Sequence, residues 1–532
     1  MNTPSIFRNH PLSDFSMAEV RAALQDQLNS LDQKLARGPF LVTPIIAGSS
    51  EKHGKFISRE DPSDKGKTIA NVDYATVEQA SRAVAICQKA LPAWRARTFE
   101  ERAAIIERAG HLIRERAAYF TSLVIREAGK PWRDSDADIA EAIDFCIYYA
   151  AEMRRLGPPT LTEQVLGEEN YYLYQPRGVV AVIAPWNFPL AIACGMVAAA
   201  LVTGNTAVFK PAEQSSAIAQ EMTKIFFEAG VPGECLSFLP GQGEEVGRAL
   251  VENPAVSMIV FTGSRPVGLE IISSAASHPG QQGIKRVVAE LGGKNAIIVD
   301  EDADFDDAIR GVLTSAFGYA GQKCSACSRL IVVGAAYEPF LERLAAATQD
   351  IIIGPSKDSS SFLGPVIDEQ AYNRINATIK SATDLTILAQ GSLPEDIANK
   401  GWFIKPTIFR DVPESHPIWR DEIFAPVLAC AKARSFEHAL DMANNSDYAL
   451  TGGVFTRNPE NLAKAKEEFR VGNLYINRGI TGALVCRQPF GGFKFSGIGS
   501  KAGGRDYLLQ FMEPRVVTEN TMRRGFTPDL SS

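Results

Sequence analysis

Residue 324 is a cysteine that directly follows Lys323, inside the run Gly318-Tyr319-Ala320-Gly321-Gln322-Lys323-Cys324-Ser325-Ala326-Cys327. The nucleophilic form of cysteine is the thiolate, and an adjacent cation or helix N-terminus lowers the thiol pKa towards neutrality. Cys324 is therefore a candidate covalent catalyst, with Lys323 expected to depress its pKa. A lone cysteine is more often a small buried hydrophobe, so other groups must support the assignment. Cys324 and Cys327 also make a CxxC. Without a second Cys/His pair this is a weak zinc pattern, and as a redox dithiol it lacks an internal Pro or Gly. His10, His53, His111, His278, His416 and His438 never reach metal-ligand spacing, so no metal site is expected.

Four stretches can support the thiol. Pro185-Trp186-Asn187-Phe188-Pro189 places an amide in an apolar setting, where it needs partners. As an oxyanion donor it would stabilise a tetrahedral intermediate; as an Asx turn it would only shape a loop. Lys210-Pro211-Ala212-Glu213 ends a predicted strand. Its Lys and Glu can bind ribose hydroxyls, and a carboxylate facing the 2′-OH favours NAD over NADP. Phe261-Thr262-Gly263-Ser264-Arg265-Pro266 reads as strand, turn and helix start, where exposed N–H groups suit a pyrophosphate. Gly241-Gln242-Gly243 opens another glycine-rich turn, but its spacing misses GxGxxG. Glu290-Leu291-Gly292-Gly293-Lys294 puts a carboxylate in a tight apolar turn, where a raised pKa suits a general base.

The elements that must position these groups follow an α/β order. Helical periodicity is predicted over 17–35, 72–90, 99–128 and 134–156, with Thr76 as an N-cap. Residues 57–70 are polar, with Pro62 and Gly66, and read as a hairpin or loop. After Gly157-Pro158-Pro159, strands are expected at 170–174, 178–184, 207–210, 236–239, 257–261 and 285–290, with helices at 216–229, 244–251 and 266–276 between them. This alternation means a parallel sheet that binds ligands beyond its carboxyl edge. A second alternation starts at 296–299. It continues through a helix at 305–320, a strand at 329–333 and a helix at 337–348, to strands near 454 and 474–477. Residues 178–209 carry no charge until Lys210 and are long enough to span a bilayer. Pro185, Asn187, Pro189 and Asn205 divide them into strand, loop, buried helix and strand.

A chain of 532 residues is too long for one ordinary core and suggests two to four domains. A net charge of −7 without basic runs argues against nucleic acid as partner. The eight scattered cysteines are no disulfide framework, and the N-terminus has no apolar targeting core, which points to the cytoplasm.

Taken together, PWNFP, KPAE, FTGS, ELGGK and GQKCSA, with Asp421-Glu422-Ile423-Phe424-Ala425-Pro426 and Pro489-Phe490-Gly491-Gly492, resemble the aldehyde dehydrogenase superfamily over about residues 40–520. The form GQKCSACSR and the stretch from Asn477 to Glu519 resemble its L-glutamate γ-semialdehyde dehydrogenase branch, in the stand-alone form without an upstream fused domain. The resemblance implies an α/β fold with two Rossmann-like domains and a small β oligomerisation flap. It implies an N-terminal extension at 1–40, an NAD-binding domain at 41–156 and 175–288, and a catalytic domain at 289–484. Oligomerisation segments and a tail would occupy 157–174 and 485–532.

The resemblance further implies the roles. Cys324 attacks the aldehyde, Asn187 and the Cys324 N–H hold the oxyanion, and Glu290 activates the water that hydrolyses a thioester. NAD would be held by Lys210, Glu213, Gly263, Ser264, Trp186, Glu422 and Phe424. Ser325 and the N–H groups of Gly482 and Ala483 would take the substrate α-carboxylate, between Phe188 and Phe490. Glu141 would pair with Lys323 or face the substrate ammonium. Cys327 and Cys486 would make oxidative inactivation conceivable. Arg478 and Arg487 keep a second reading open, a succinate- or other ω-carboxy-semialdehyde dehydrogenase. A non-catalytic nucleotide-binding relative is a third, though it would not need Cys324, Asn187 and Glu290 together. A homodimer or larger homo-oligomer is expected, with a small-molecule substrate and no membrane partner.

Overall fold

The computed structural model describes residues 7–281 and 283–522. Residues 1–6 of the expected extension and 523–532 of the expected tail lie outside them. Two parallel sheets divide the chain. In the first, β1 (Val179–Ile183), β2 (Thr206–Lys210), β3 (Leu236–Phe238), β4 (Val256–Thr262) and β5 (Arg286–Glu290) run parallel in the spatial order β5-β4-β1-β2-β3. Strands β1 and β2 are wholly buried, which is why they read as unbroken apolar runs: helices cover both faces of such a sheet. The strand order reverses between β1 and β4, and ligands bind at such a point beyond the carboxyl ends.

The second sheet holds β6 (Asn295–Val299), β7 (Cys327–Val333), β8 (Thr386–Gln390), β9 (Thr407–Arg410), β10 (Val427–Ala433), β11 (Thr451–Phe455) and β12 (Asn473–Ile476). Its order is β8-β9-β10-β7-β6-β11-β12, parallel except for β8. A third, antiparallel sheet joins Met512–Asn520, Glu168–Pro176 and Thr160–Leu161.

Four helices carry or flank the motif residues: α1 (Trp132–Leu156), α2 (Ala191–Val202), α3 (Arg265–Ala276) and α4 (Phe305–Phe317). The uncharged run around 178–209 is β1, a loop, α2 and β2. Among the described residues no helix is long and apolar enough to cross a membrane.

The structure departs from the sequence expectations at several places. The helix expected over 99–128 is two, Phe99–Glu115 and Ala117–Glu127, because Arg116 leaves the helical region at φ −111°. The stretch 244–251 opens as a wide turn, Gly243–Gly247, before Arg248–Glu252. The stretch 57–70, read as a hairpin or loop, agrees with the expectation: it is a hairpin of Phe56–Asp61 and Asp64–Asp73. Helix α4 stops at Phe317, since Tyr319, Ala320 and Gly321 are all left-handed at φ 52°, 53° and 68°. The terminal strand Met512–Asn520 pairs with Glu168–Pro176 of its own chain over nine residues and forms the edge of the antiparallel sheet.

Candidate active site

Residues from the carboxyl ends of β1 and β4 meet the nucleophile loop across a cleft of about 1200 Å³. Trp186, Asn187, Gly263, Ser264, Cys324, Glu422 and Phe424 all line it. Each arrives by a local necessity. The PWNFP turn links the buried strand β1 to α2, and its two prolines restrict the backbone. Ser264 is the N-cap of α3, with Pro266 in the first turn, and its side chain caps no helix N–H. The first-turn N–H groups thus remain open towards the cleft, which suits a pyrophosphate. Trp186 and Phe424 meet edge to face at 5.5 Å.

Glu422 accepts from the Gly293 N–H at 3.0 Å. A Cβ at position 292 would fall 1.9 Å from its Oε2, so a larger residue there would push the Glu422 carboxylate out of its place. Burial lifts the Glu422 acid to about 7. Phe424 is left-handed at φ 57°, and its turn is anchored by Arg374 donating to the Ile423 carbonyl at 2.6 Å.

Cys324 is half-buried. Burial, followed by the charges of Glu290 and Glu422, holds its thiol well above the ordinary value. The expectation that Lys323 depresses it fails, because Lys323 turns to Asp134 at 2.5 Å. The same contact excludes the expected Lys323–Glu141 pair. Asn187 is buried and its Nδ2 donates to the Gln322 carbonyl at 3.1 Å, two residues before the thiol. That bond takes one amide hydrogen, and among the described residues the other has no partner. Glu290 ends β5, and its buried Oε2 finds no hydrogen-bond partner. Burial, opposed by Lys501, pushes its acid up to about 8.

The remaining predicted residues lie outside the lining of the cleft. Lys210 and Glu213 pair with each other at 2.8 Å beyond β2. The Gly-rich turn comes against them, since a Cβ on Gly243 would lie 4.0 Å from Glu213 Oε1. Ser325 is buried, and its carbonyl accepts from Thr451 Oγ1 at 3.2 Å. Gly482 is left-handed at φ 76° with open space around its Cβ direction. Its loop, which includes Ala483, is moored by Ile480 N–H to Ser315 Oγ at 3.0 Å. Phe490 bridges to Ala502 at 2.7 and 2.9 Å. Gly491, next to it, is so close to Glu290 that a Cβ would stand 2.8 Å from Oε1. Phe188 lies under the Lys130 ammonium at 3.6 Å.

Several residues that hold this site carry no signal in the motifs. Asp134, Asp138 and Glu141 share one face of α1, by the i, i+4, i+7 spacing of a helix. Lys323 meets the first and Lys130 the second, at 2.5 and 3.1 Å. Among the described residues Glu141 has no hydrogen-bond or ion-pair partner, and burial lifts it to about 8. Asn295 grips the nucleophile loop, donating to the carbonyls of Cys324 and Ala326 at 2.7 and 2.9 Å. The helix-spaced carboxylates were readable as a pattern; the lysines opposite them were not. Arg478, which kept the ω-carboxylate reading open, is exposed and donates to its own loop at Gly479 O and Thr481 O.

The sequence profile described as "Aldehyde dehydrogenase family" matches residues 49–517. The chain belongs to the aldehyde dehydrogenase family. Among its relatives in that family, 1-pyrroline-5-carboxylate dehydrogenase of Geobacillus sp. (strain WCH70) is 45% identical over 96% of this chain and 99% of its own. 1-Pyrroline-5-carboxylate dehydrogenase 2 of Bacillus subtilis (strain 168) is 43% identical over 98% of this chain and all of its own. A solved 1-pyrroline-5-carboxylate dehydrogenase from Thermus with bound NAD superposes with a TM-score of 0.94 at 40% identity, covering 98% of this chain and 100% of that one. Proline utilization A from Bdellovibrio bacteriovorus superposes with a TM-score of 0.96 at 47% identity, and the present chain spans 55% of that longer chain. The aldehyde dehydrogenase fold expected from the motifs is thus the fold observed.

Proposed function

We propose that the protein is an NAD-dependent L-glutamate γ-semialdehyde dehydrogenase, acting on the open form of Δ1-pyrroline-5-carboxylate in proline degradation. The observation that carries this is that Cys324 and Asn187 line the switch-point cleft while Glu290, whose buried Oε2 has no partner among the described residues, lies close enough behind it to act on the Cys324 thiol, in a chain of near-full-length similarity to enzymes of that name.

The cleft fits a dinucleotide: open N–H groups at the start of α3, the Trp186–Phe424 aromatic pair, and the Gly292 cradle under Glu422. Ser264 and Gly263 would hold the pyrophosphate, Lys210 and Glu213 the adenosine ribose, and Glu422 and Phe424 the nicotinamide end. Bound NAD supplies the acceptor for hydride. The Cys324 thiol passes its proton to the deprotonated Glu290 carboxylate, and the sulfur adds to the aldehyde carbon to give a thiohemiacetal whose oxyanion takes a hydrogen bond from Asn187. Loss of hydride leaves a thioester on Cys324. Glu290, once deprotonated, removes a proton from the water that cleaves it. The unmatched Glu141 carboxylate supports a role in receiving the substrate ammonium. Ser325 and the 482–483 backbone, without a facing cation, suit the α-carboxylate. Arg478, exposed and bonded to its own loop, disfavours an ω-carboxylate substrate.

On this reading residues 41–156 and 175–288 form the NAD-binding unit and 289–484 the catalytic unit, with 157–174 and 485–532 serving assembly. Leu166, 95% exposed in the turn before Glu168–Pro176, and Val516, 63% exposed on the antiparallel sheet, support a homo-oligomer. Eight free thiols support a cytoplasmic setting.

The test is NADH formation from Δ1-pyrroline-5-carboxylate. The native chain turns over, and Cys324→Ala loses at least about a thousandfold in kcat. Glu290→Gln releases about one equivalent of NADH per site and then stalls at the thioester. Equal turnover by Cys324→Ala would sink the mechanism; activity confined to other aldehydes would sink the substrate.

A further inference from the structure

Lys130 lies between Gly129 and Pro131 and is completely buried, yet it has no part in the steps carried by Cys324, Asn187 and Glu290. Its ammonium donates to Asp138 Oδ2 at 3.1 Å and to the backbone carbonyl of Asn187 at 3.0 Å. It also stands 3.6 Å from the ring centre of Phe188 and 5.2 Å from that of Tyr319. Asp138 completes the arrangement, its Oδ1 accepting from the Ala191 N–H at 2.7 Å. One buried ion pair therefore holds both ends of the 187–191 turn, at Asn187 and at the first residue of α2.

On its other side the same ammonium faces the turn that leads to the nucleophile, at Tyr319. Tyr319 opens the left-handed turn that leads to Cys324, and its hydroxyl is tied to the Ala128 carbonyl at 2.9 Å, two residues before Lys130. The segment Ala128–Lys130 thus contacts the turn carrying the amide and the turn carrying the thiol. Burying an ammonium is unfavourable unless every donor is matched. Here a carboxylate, a carbonyl and an aromatic face account for all three N–H bonds. An apolar side chain would fill the space but would hold neither turn by direction.

We propose that Lys130, paired with Asp138, is a positioning residue that fixes the Asn187 amide relative to the Cys324 thiol. The proposal rests on the dehydrogenase reading of the site. An amide donor acts on a transition state only if held in place beforehand, and a displacement of about 1 Å can cost about a hundredfold in rate.

The test is a mutant cycle between this pair and Asn187. Lys130→Met alone leaves Asp138 buried and unpaired, so the informative variant is Lys130→Met with Asp138→Leu, which removes both charges. The native chain is first assayed with Δ1-pyrroline-5-carboxylate and with propanal. Oxidation of propanal alone would overturn the substrate assignment only, and the cycle is then run with propanal. The double variant is expected to keep its melting temperature within a few degrees, and its Cys324 alkylation rate by iodoacetamide within about threefold. Its kcat/KM is expected to fall about a hundredfold. Asn187→Ala, costly in the native chain, is expected to add less than about threefold in the double variant, because the amide is already out of place. A crystal structure of the double variant should find the Asn187 amide away from the Gln322 carbonyl, a readout that needs no activity. An undiminished kcat/KM, a full additional loss from Asn187→Ala, or an amide still bonded to Gln322 O would each overturn the proposal.

Discussion

Because burial holds its acid near 8, Glu290 is mostly protonated at neutrality and gains the charge of a general base only above it. The hydrolytic limb of kcat should therefore rise through about pH 8 in the native chain. The same shift bears on stability. A carboxyl whose folded value is about 8, against 4.5 when free, favours the fold below pH 4.5; that contribution fades as pH rises through about 8. Glu290→Gln, which never ionises, should melt higher than the native chain near pH 9 and the same as it near pH 4. Melting curves at both ends check this, and a variant less stable at high pH would show that the charged carboxylate is well solvated. Lys323 shows the limit of reading charge from adjacency. Next to Cys324 in sequence, it points to Asp134 in space. Lys323→Gln should leave the rate of Cys324 alkylation within about threefold of native.

At the scale of the element, the turn from α4 to the nucleophile is three left-handed residues in a row, and only the last is glycine. Left-handed backbone costs an ordinary residue roughly 1–2 kcal/mol, so Tyr319 and Ala320 are held by their surroundings: the Tyr319 hydroxyl on Ala128 O, and Gln322 bonded to Pro365 O and Ile367 N. Ala320→Gly should be tolerated with little change in melting temperature. Gly321→Ala should lower it sharply and abolish turnover, because the added Cβ would lie 2.2 Å from the Ala425 carbonyl. Equal behaviour of the two variants would count against the turn as a fixed device. The sequence periodicity carried α4 through to Ala320, since nothing local forbids helix there; the break comes from partners far along the chain. The same reason separates what was legible from what was not. The strands of the first sheet and the α2 helix are local patterns and read correctly, whereas β8, β9 and β10 of the second sheet were not foreseen. Lys130, Asn295 and Gln322 act across 57, 29 and 45 residues, and no local pattern announces such contacts.

Across the whole molecule, the described segments near both termini are tied back onto the body of the fold, and the N-terminal one reaches the substrate loop. The terminal strand is tied back through Asn205, which donates to the Phe511 carbonyl and accepts from the Gly178 N–H, each at 2.9 Å. At the other end, Asp144 of α1 accepts from the Asn9 side chain at 2.8 Å and the His10 N–H at 2.7 Å. Asn9 donates as well to the Val485 carbonyl at 2.8 Å. Val485 is two residues beyond Ala483, so the segment before the first helix restrains the loop proposed to seat the α-carboxylate. It does not touch the cofactor cleft. Asn9→Ala should therefore raise KM for the semialdehyde several-fold, while NAD affinity and the pH dependence of kcat stay as in the native chain. A net hydrogen bond of this kind is worth about 1 kcal/mol, or about fivefold in an equilibrium. A proportional change in the NAD dissociation constant would show instead that the N-terminal segment stabilises the molecule generally, with no particular hold on the substrate loop.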